Sequence, residues 1–218
     1  MPSPSTPKIW LASASPRRAQ LLTMLGVPFE RVASAFEEPE PTAEDHARPE
    51  KYVRKLAHGK VKACRWDGHF LSVGREARRH LVISADTVVW HEGTILNKPR
   101  DETEARAMLK KLCGSSHRVL TGVCLQVLGT GDRDRAESYE ETHVHFAPRS
   151  DAWIARYVAT GEPMDKAGAY AAQGMGALLI EKIEGDFFNV VGLPLFRLSE
   201  MLRAQGVEVE GFWKPAST

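Results

Sequence analysis

Apolar positions along the chain fall into short continuous runs and helical stripes that alternate irregularly. Ile9-Trp10-Leu11-Ala12 reads as a short buried strand that stops at Ser13-Ala14-Ser15-Pro16. A helix follows: Ser15 suits an N-cap, Pro16 takes the first helical position, and Leu21, Leu22 and Leu25 recur at helical spacing before Gly26. Phe29–Ser34 predicts a second strand, and the acidic, proline-containing stretch Glu37–Pro49 predicts a loop. The next helix runs from Pro49 to Cys64 with Val53, Leu56, Ala57 and Lys60 near one face, and residues 65–80 read as a polar surface insertion. Leu81–Ala85 is a strand; after Asp86-Thr87 the chain continues Val88-Val89-Trp90, turns at His91-Glu92-Gly93 and returns through Thr94-Ile95-Leu96. Asp101 caps a helix carrying Ala105, Met108, Leu109 and Leu112 that Gly114 ends. Strands over 117–128 and 138–146 flank a turn at 129–134. A helix at 150–160, a glycine-rich segment, a strand at 177–183 and a helix at 193–205 complete the pattern.

This succession, with hairpins among the helices, predicts an α/β protein with a mixed central sheet and flanking helices. The length of 218 residues fits one domain, or two small lobes around one cleft. The expected division is a flexible tail over 1–7, one domain over 8–207 and a C-terminal tail over 208–218. The opening MPSPSTPK lacks an apolar core behind it and reads as a tail, not a signal peptide. No apolar stretch is long enough to span a bilayer, which excludes an integral membrane protein of the helical kind. A formal charge of +1 gives no overall field toward nucleic acid or membrane, so any polyanion must be met by a local cluster. Cys64, Cys113 and Cys124 are odd in number and unpaired in spacing, which predicts reduced thiols and a cytoplasmic setting.

Four segments can carry chemistry. In Ser13-Ala14-Ser15-Pro16-Arg17-Arg18, two arginines occupy a first helical turn, where the helix dipole disfavours them unless an anion is near. The segment is either a phosphate site or a capped surface helix with solvated arginines. Asp86, beyond the apolar run in Ser84-Ala85-Asp86-Thr87, is placed at a strand end, either facing a ligand crevice or closing a turn. In a crevice it can hold Mg²⁺ or orient water. Lys98 of Leu96-Asn97-Lys98-Pro99 returns on the hairpin toward Asp86, as a functional charge or as a surface ion pair. The glycine-rich stretch Met164–Gly176 allows close backbone approach to a ligand, though it lacks a dinucleotide fingerprint. There is no phosphate loop, HExxH, GxSxG or EF-hand pattern, and the basic cluster at Arg75–His80 has no interleaved aromatics. His143 and His145 share a strand face without further ligand spacing.

Taken in order, LASASPRR, SADTVV, LNKP, AMLKKLCGSSHRVLTGV, EPMDKAGAY and AAQGMGALLIEKIEGDFFNVVGLPL resemble blocks of the Maf family of nucleoside triphosphate pyrophosphatases, from about Ile9 to Gln205. The resemblance implies an elongated, two-lobed fold similar to the inosine triphosphate pyrophosphatases, with a central cleft. It implies hydrolysis of a nucleoside triphosphate to the monophosphate and pyrophosphate, a house-cleaning role on nucleotide pools, a divalent metal (Mg²⁺, or Mn²⁺ in its place), and a homodimer. Carried onto this chain, it places Ser13, Arg18, Lys60, Lys98 and Lys166 on the substrate, and Glu38 and Asp86 at the metal and water. The resemblance names Asp86 as the proton acceptor, and the sequence leaves open whether it takes the proton or mainly holds the metal. Arg17, Thr87 and Gln173 resemble the branch acting on dTTP and UTP, modified uridine nucleotides included, and not the methylated-guanosine branch, which carries Trp, Gln and Glu there. The carboxamide of Gln173 both donates and accepts, as a pyrimidine edge requires. The rival readings are a methylated-guanosine or broad-specificity enzyme, and a non-catalytic nucleotide-binding regulator of cell division. One departure stands out: Gly59 replaces the acidic residue that often precedes the lysine aligned with Lys60, which leaves the register of this helix open.

Overall fold

The longest apolar run becomes the centre of a seven-stranded mixed sheet in the computed structural model, which describes residues 7–65, 79–128 and 131–213. The strands are β1 (Lys8–Leu11), β2 (Glu30–Arg31), β3 (His80–His91), β4 (Thr94–Leu96), β5 (Ser116–Val127), β6 (Arg135–Phe146) and β7 (Ile180–Glu184). The helices are α1 (Pro16–Met24), α2 (Ala43–Ala47), α3 (Pro49–Lys62), α4 (Glu102–Leu112), α5 (Asp151–Val158), α6 (Phe187–Val191) and α7 (Leu195–Ala204). The sheet runs β2-β1-β3-β5-β6-β7, with β1 parallel to β2 and β3, the later pairs antiparallel, and β4 antiparallel to β3.

Alternation along β3 assigns its two faces. Leu81, Ile83 and Ala85 pack with Ile9, Leu22, Leu198 and Leu202 beneath α1 and α7. On the opposite face, α3 presents Tyr52, Val53, Leu56, Ala57 and Val61, all buried. Farther along, Val89 and Val119 enter a separate core with Leu109 of α4, Ile154 of α5 and Tyr170. The segment 162–179 forms three short 3₁₀ turns against this second core, through the glycine-rich stretch Met164–Gly176, and the strand predicted over 177–183 begins only at Ile180 as β7.

Several expectations change. The strand predicted over Phe29–Ser34 shrinks to Glu30–Arg31, because the chain turns from β1 to pair Ser34 with Cys64 past the end of α3. Within the predicted loop, Thr42 and Asp45 form a reciprocal capping box that starts α2. Asp86 is not at a strand end. Strand β3 runs unbroken through Asp86-Thr87, since each polar side chain finds partners on its own face. A short helix, α6, precedes the expected last one. Ser15 occupies the N-cap position of α1 without a side-chain capping bond; its N–H donates to Ser13 Oγ instead. Asp101 does cap α4, accepting from Glu104 N at 2.8 Å. Of the predicted insertion, 66–78 lies outside the described residues. At the other end, Val209 is buried in the first core and Trp213 Nε1 donates to Leu25 O, so the segment read as a tail is anchored through residue 213.

Candidate active site

The site arises from a gap in the sheet. Along one edge of β3, β1 pairs as far as Ile83 and β4 pairs from Val89 onward. Between them Ser84–Val88 carries no strand on that edge, while its other edge is paired throughout by β5. A cleft of about 790 Å³ opens there and is lined by both Asp86 and Thr87. Adjacent strand residues point to opposite faces. The gap therefore exposes two chemistries, one on each side of the same backbone.

On the α3 side, Lys60 Nζ lies 2.8 Å from Asp86 Oδ2 and 2.8 Å from Glu38 Oε1. The lysine and Asp86 side chains are only 15% and 8% exposed, whereas Glu38 is 39% exposed at the mouth. Asp86 Oδ1 accepts from Thr87 N at 2.8 Å, which fixes the rotamer. Oδ2 is buried and has the lysine as an ion-pair neighbour, but no aligned hydrogen-bond donor. Burial pushes the Glu38 carboxyl upward, and the charges of Lys60 and Lys98 more than offset this, leaving it below its ordinary value. The helix register that Gly59 left open is settled by packing. A Cβ at Gly59 would lie 2.2 Å from Phe36, so this residue seats the Phe36 ring and the next one, Lys60, faces the carboxylates.

On the other side, Arg18 is buried. It donates from Nε to Gly192 O at 2.7 Å, from Nη1 to Ser13 Oγ at 3.3 Å, and from Nη2 to Thr87 Oγ1 at 3.1 Å. Burial lowers its pKa; Asp86 and Glu38 oppose that shift, and Arg17 adds to it. Thr121 Oγ1 donates to Asn189 O, so it accepts from Thr87 Oγ1 at 2.9 Å. The Thr87 hydroxyl is thereby oriented, with Arg18 donating to it and its own proton directed at Thr121. The strained pair of first-turn arginines is thus resolved in two ways: Arg18 is absorbed into this network, and Arg17 faces Asp165 and Glu162, with burial the larger influence on its pKa.

The remaining expected residues also border the cleft. Lys98 lines it and is exposed, with no ion pair of its own among the described residues, so its expected approach to Asp86 is taken by Lys60. Lys166 pairs with Asp165 and donates to Glu162 O at 3.3 Å. Gln173 lines the cleft with its carboxamide exposed. Thr121, Asn189 and the Gly192 carbonyl were not foreseen. Their signal is tertiary: Thr121 sits inside an apolar run and matters only because register sets it opposite Thr87. No group of three or more His, Cys, Asp or Glu side chains suited to a metal occurs among the described residues, and no described helix is long and apolar enough to cross a membrane.

A mixed sheet is thus interrupted at a cleft where carboxylates and cations converge. The family model described as Maf-like protein matches residues 8–205, and the chain belongs to this family. A protein named dTTP/UTP pyrophosphatase from Caldicellulosiruptor saccharolyticus is 45% identical over 202 residues, covering 93% of this chain and 96% of that protein. Proteins of the same name from Methanosarcina mazei and Alkaliphilus oremlandii are 45% and 46% identical, covering 93% and 88% of this chain and 96% and 93% of their own lengths.

Proposed function

We propose that this chain is a nucleoside triphosphate pyrophosphatase that hydrolyses dTTP and UTP to the monophosphate and pyrophosphate. The observation that carries the reading is the open stretch of β3, where Asp86 and Glu38 share Lys60 on one face and Arg18 reaches Thr87 on the other. Phosphoanhydride hydrolysis needs this mixture: cations for the charge on non-bridging oxygens, and carboxylates for the water. The names of the relatives supply the nucleotide.

In this reading a water oxygen bonds to phosphorus as the anhydride bond breaks, and pyrophosphate leaves. Asp86 accepts the water proton, its rotamer held by Thr87 N–H. Lys60 neutralises the paired carboxylates, so an anionic substrate is not repelled from them. Arg18, Ser13, Lys98 and Lys166 meet the phosphate oxygens. The donor set also fits Mg²⁺, or Mn²⁺ in its place: two hard carboxylates in reach of one lysine, with Asp86 Oδ2 lacking an aligned donor. Two protein carboxylates with the balance supplied by substrate phosphates and water is the ordinary manner of binding Mg²⁺. Glu38 and Asp86 would hold it, and when bound it would supply positive charge to the phosphate oxygens. Gln173, Arg17 and Thr87 select the base. A site built to match the pyrimidine edge rejects a mismatched one because buried polar groups are left unpaired.

The proposal extends to a cytoplasmic location, supported by three free cysteines, and to a homodimer, supported by the family resemblance alone and checked by sedimentation. The decisive experiment is pyrophosphate release from a panel of nucleoside triphosphates with and without Mg²⁺. Metal-dependent release led by dTTP and UTP is expected. Release led by another nucleotide would overturn the specificity assignment, and binding without release would overturn the enzyme reading.

A further inference from the structure

The carboxamide of Gln173 makes no hydrogen bond to the described residues, so its place in the cleft rests entirely on the backbone that carries it. That backbone is tied down at both ends by one pair of side chains. On one side of Gln173, Ala171 N donates to Tyr157 Oη at 3.2 Å. On the other, Met175 N donates to Glu162 Oε2 at 3.0 Å and Gly176 N to Glu162 Oε1 at 2.9 Å. Tyr157 Oη in turn donates to Glu162 Oε1 at 2.8 Å, which joins the two anchors. The glycines of the loop are shaped to this clamp. A Cβ at Gly174, whose φ is +144°, would lie 2.5 Å from Glu162 Oε2, and one at Gly176 would lie 2.4 Å from Tyr157 Oη. Arg17 also lines the cleft; burial lowers its pKa, and the charge of Asp165, followed by that of Glu162, opposes the shift. The loop that carries Gln173 thus depends on one phenol and one carboxylate. Neither Tyr157 nor Glu162 lines the cleft among its described residues.

We infer that Tyr157 and Glu162 are positioning residues for base selection, clamping the loop 171–176 so that Gln173 meets the substrate edge in one fixed place. The inference rests on the reading of Gln173 as a base-selecting residue. It deepens that reading by naming what holds Gln173 there. The carboxylate suits the task because it can accept from three donors at once, and its charge strengthens each of those bonds.

The test uses Tyr157→Phe, Glu162→Gln and Glu162→Asp in the full-length protein, with two independent readouts. The first is kcat and KM for dTTP, UTP and the most weakly used nucleotide of the panel. Loss of a charge-assisted anchor is expected to lower kcat/KM for dTTP and UTP by about tenfold through KM, with little change for the weak nucleotide, so discrimination narrows. Glu162→Asp, too short to meet Met175 N, Gly176 N and Tyr157 Oη together, is expected not to restore discrimination. A parallel fall for every nucleotide together with a lower melting temperature would show a merely structural role and overturn the inference. The second readout is amide exchange at Ala171, Met175 and Gly176, which needs no activity. Faster exchange confined to these amides supports the clamp even if the wild type releases no pyrophosphate, whereas unchanged exchange refutes it.

Discussion

Replacing Gly122 by alanine separates two physical effects that have opposite signs. Gly122 lies in the middle of β5 at a backbone conformation that any residue can adopt, since it is not among the glycines with positive φ. By strand propensity alone, Gly→Ala there should stabilise by about 0.5–1 kcal/mol. The structure predicts the reverse. A Cβ at this position would lie 2.2 Å from Val53 O, 2.4 Å from Val53 C and 2.8 Å from Arg54 N, all backbone of α3. To reach the ~3.3 Å of a tolerable C···O contact, the helix must withdraw by roughly 1 Å. Overpacking of this sort costs about 1–3 kcal/mol, which exceeds the propensity gain. For a chain of this size the melting temperature should fall by about 2–8 °C. The effect reaches the site because Val53 and Lys60 are two helical turns apart on one face of α3, while Gly122 is the registered partner of Asp86. Retreat of the helix therefore lengthens the 2.8 Å Lys60–Asp86 contact directly. A displacement near 1 Å in a catalytic constellation costs on the order of 10²-fold in rate. Thermal unfolding and pyrophosphate release on the same preparation measure both. A variant as stable as the wild type, or more so, with undiminished kcat/KM would refute the claim that this contact sets the lysine.

Three further outcomes are expected. Asp86→Asn should reduce turnover by at least about 10²-fold while nucleotide binding, measured by calorimetry, persists; full turnover would remove the residue from the mechanism. Gln173→Glu replaces the donor half of the carboxamide with an acceptor and should shift preference away from dTTP and UTP, as the same nucleotide panel will reveal. His117 is buried against Phe146 and Tyr170, and burial lowers its pKa to about 3. The unfolded chain takes up a proton below pH ~6.5 that the folded chain refuses, so this residue's contribution to stability declines as pH falls from there toward 3, with a slope of up to about 1.4 kcal/mol per pH unit. Urea unfolding across that range should show a shallower decline in His117→Gln, and equal slopes would refute the assignment.

Much of the candidate site is legible in the sequence. The first-turn arginines behind Ser13 broke an electrostatic rule, and the structure answers by burying Arg18 beneath Thr87 and Gly192. The polar pair Asp86-Thr87 looks in the sequence like the end of a strand. A strand interior can carry two adjacent polar residues when each face offers its own partners, and no linear pattern reports that. Lys98 was placed near Asp86 by the short hairpin. Lys60, twenty-six positions upstream, takes that place through the packing of α3 on β3, where Ser84 Oγ donates to Ala57 O at 2.6 Å.

The sequence by itself determined the elements, the mixed character of the sheet and the residue types that converge on phosphate chemistry, because hydrophobic period, caps and turn residues act locally. Tertiary structure alone decided that β1 and β4 leave five residues of β3 uncovered between them. It also decided that Lys60 bridges two carboxylates, and that Tyr157 and Glu162 hold the loop of Gln173 from outside the cleft. The Lys60 ion pairs join residues 22 and 26 positions apart and the loop bonds residues 13 and 14 apart, and the free energy that fixes them comes from burial of whole faces, not from any one segment.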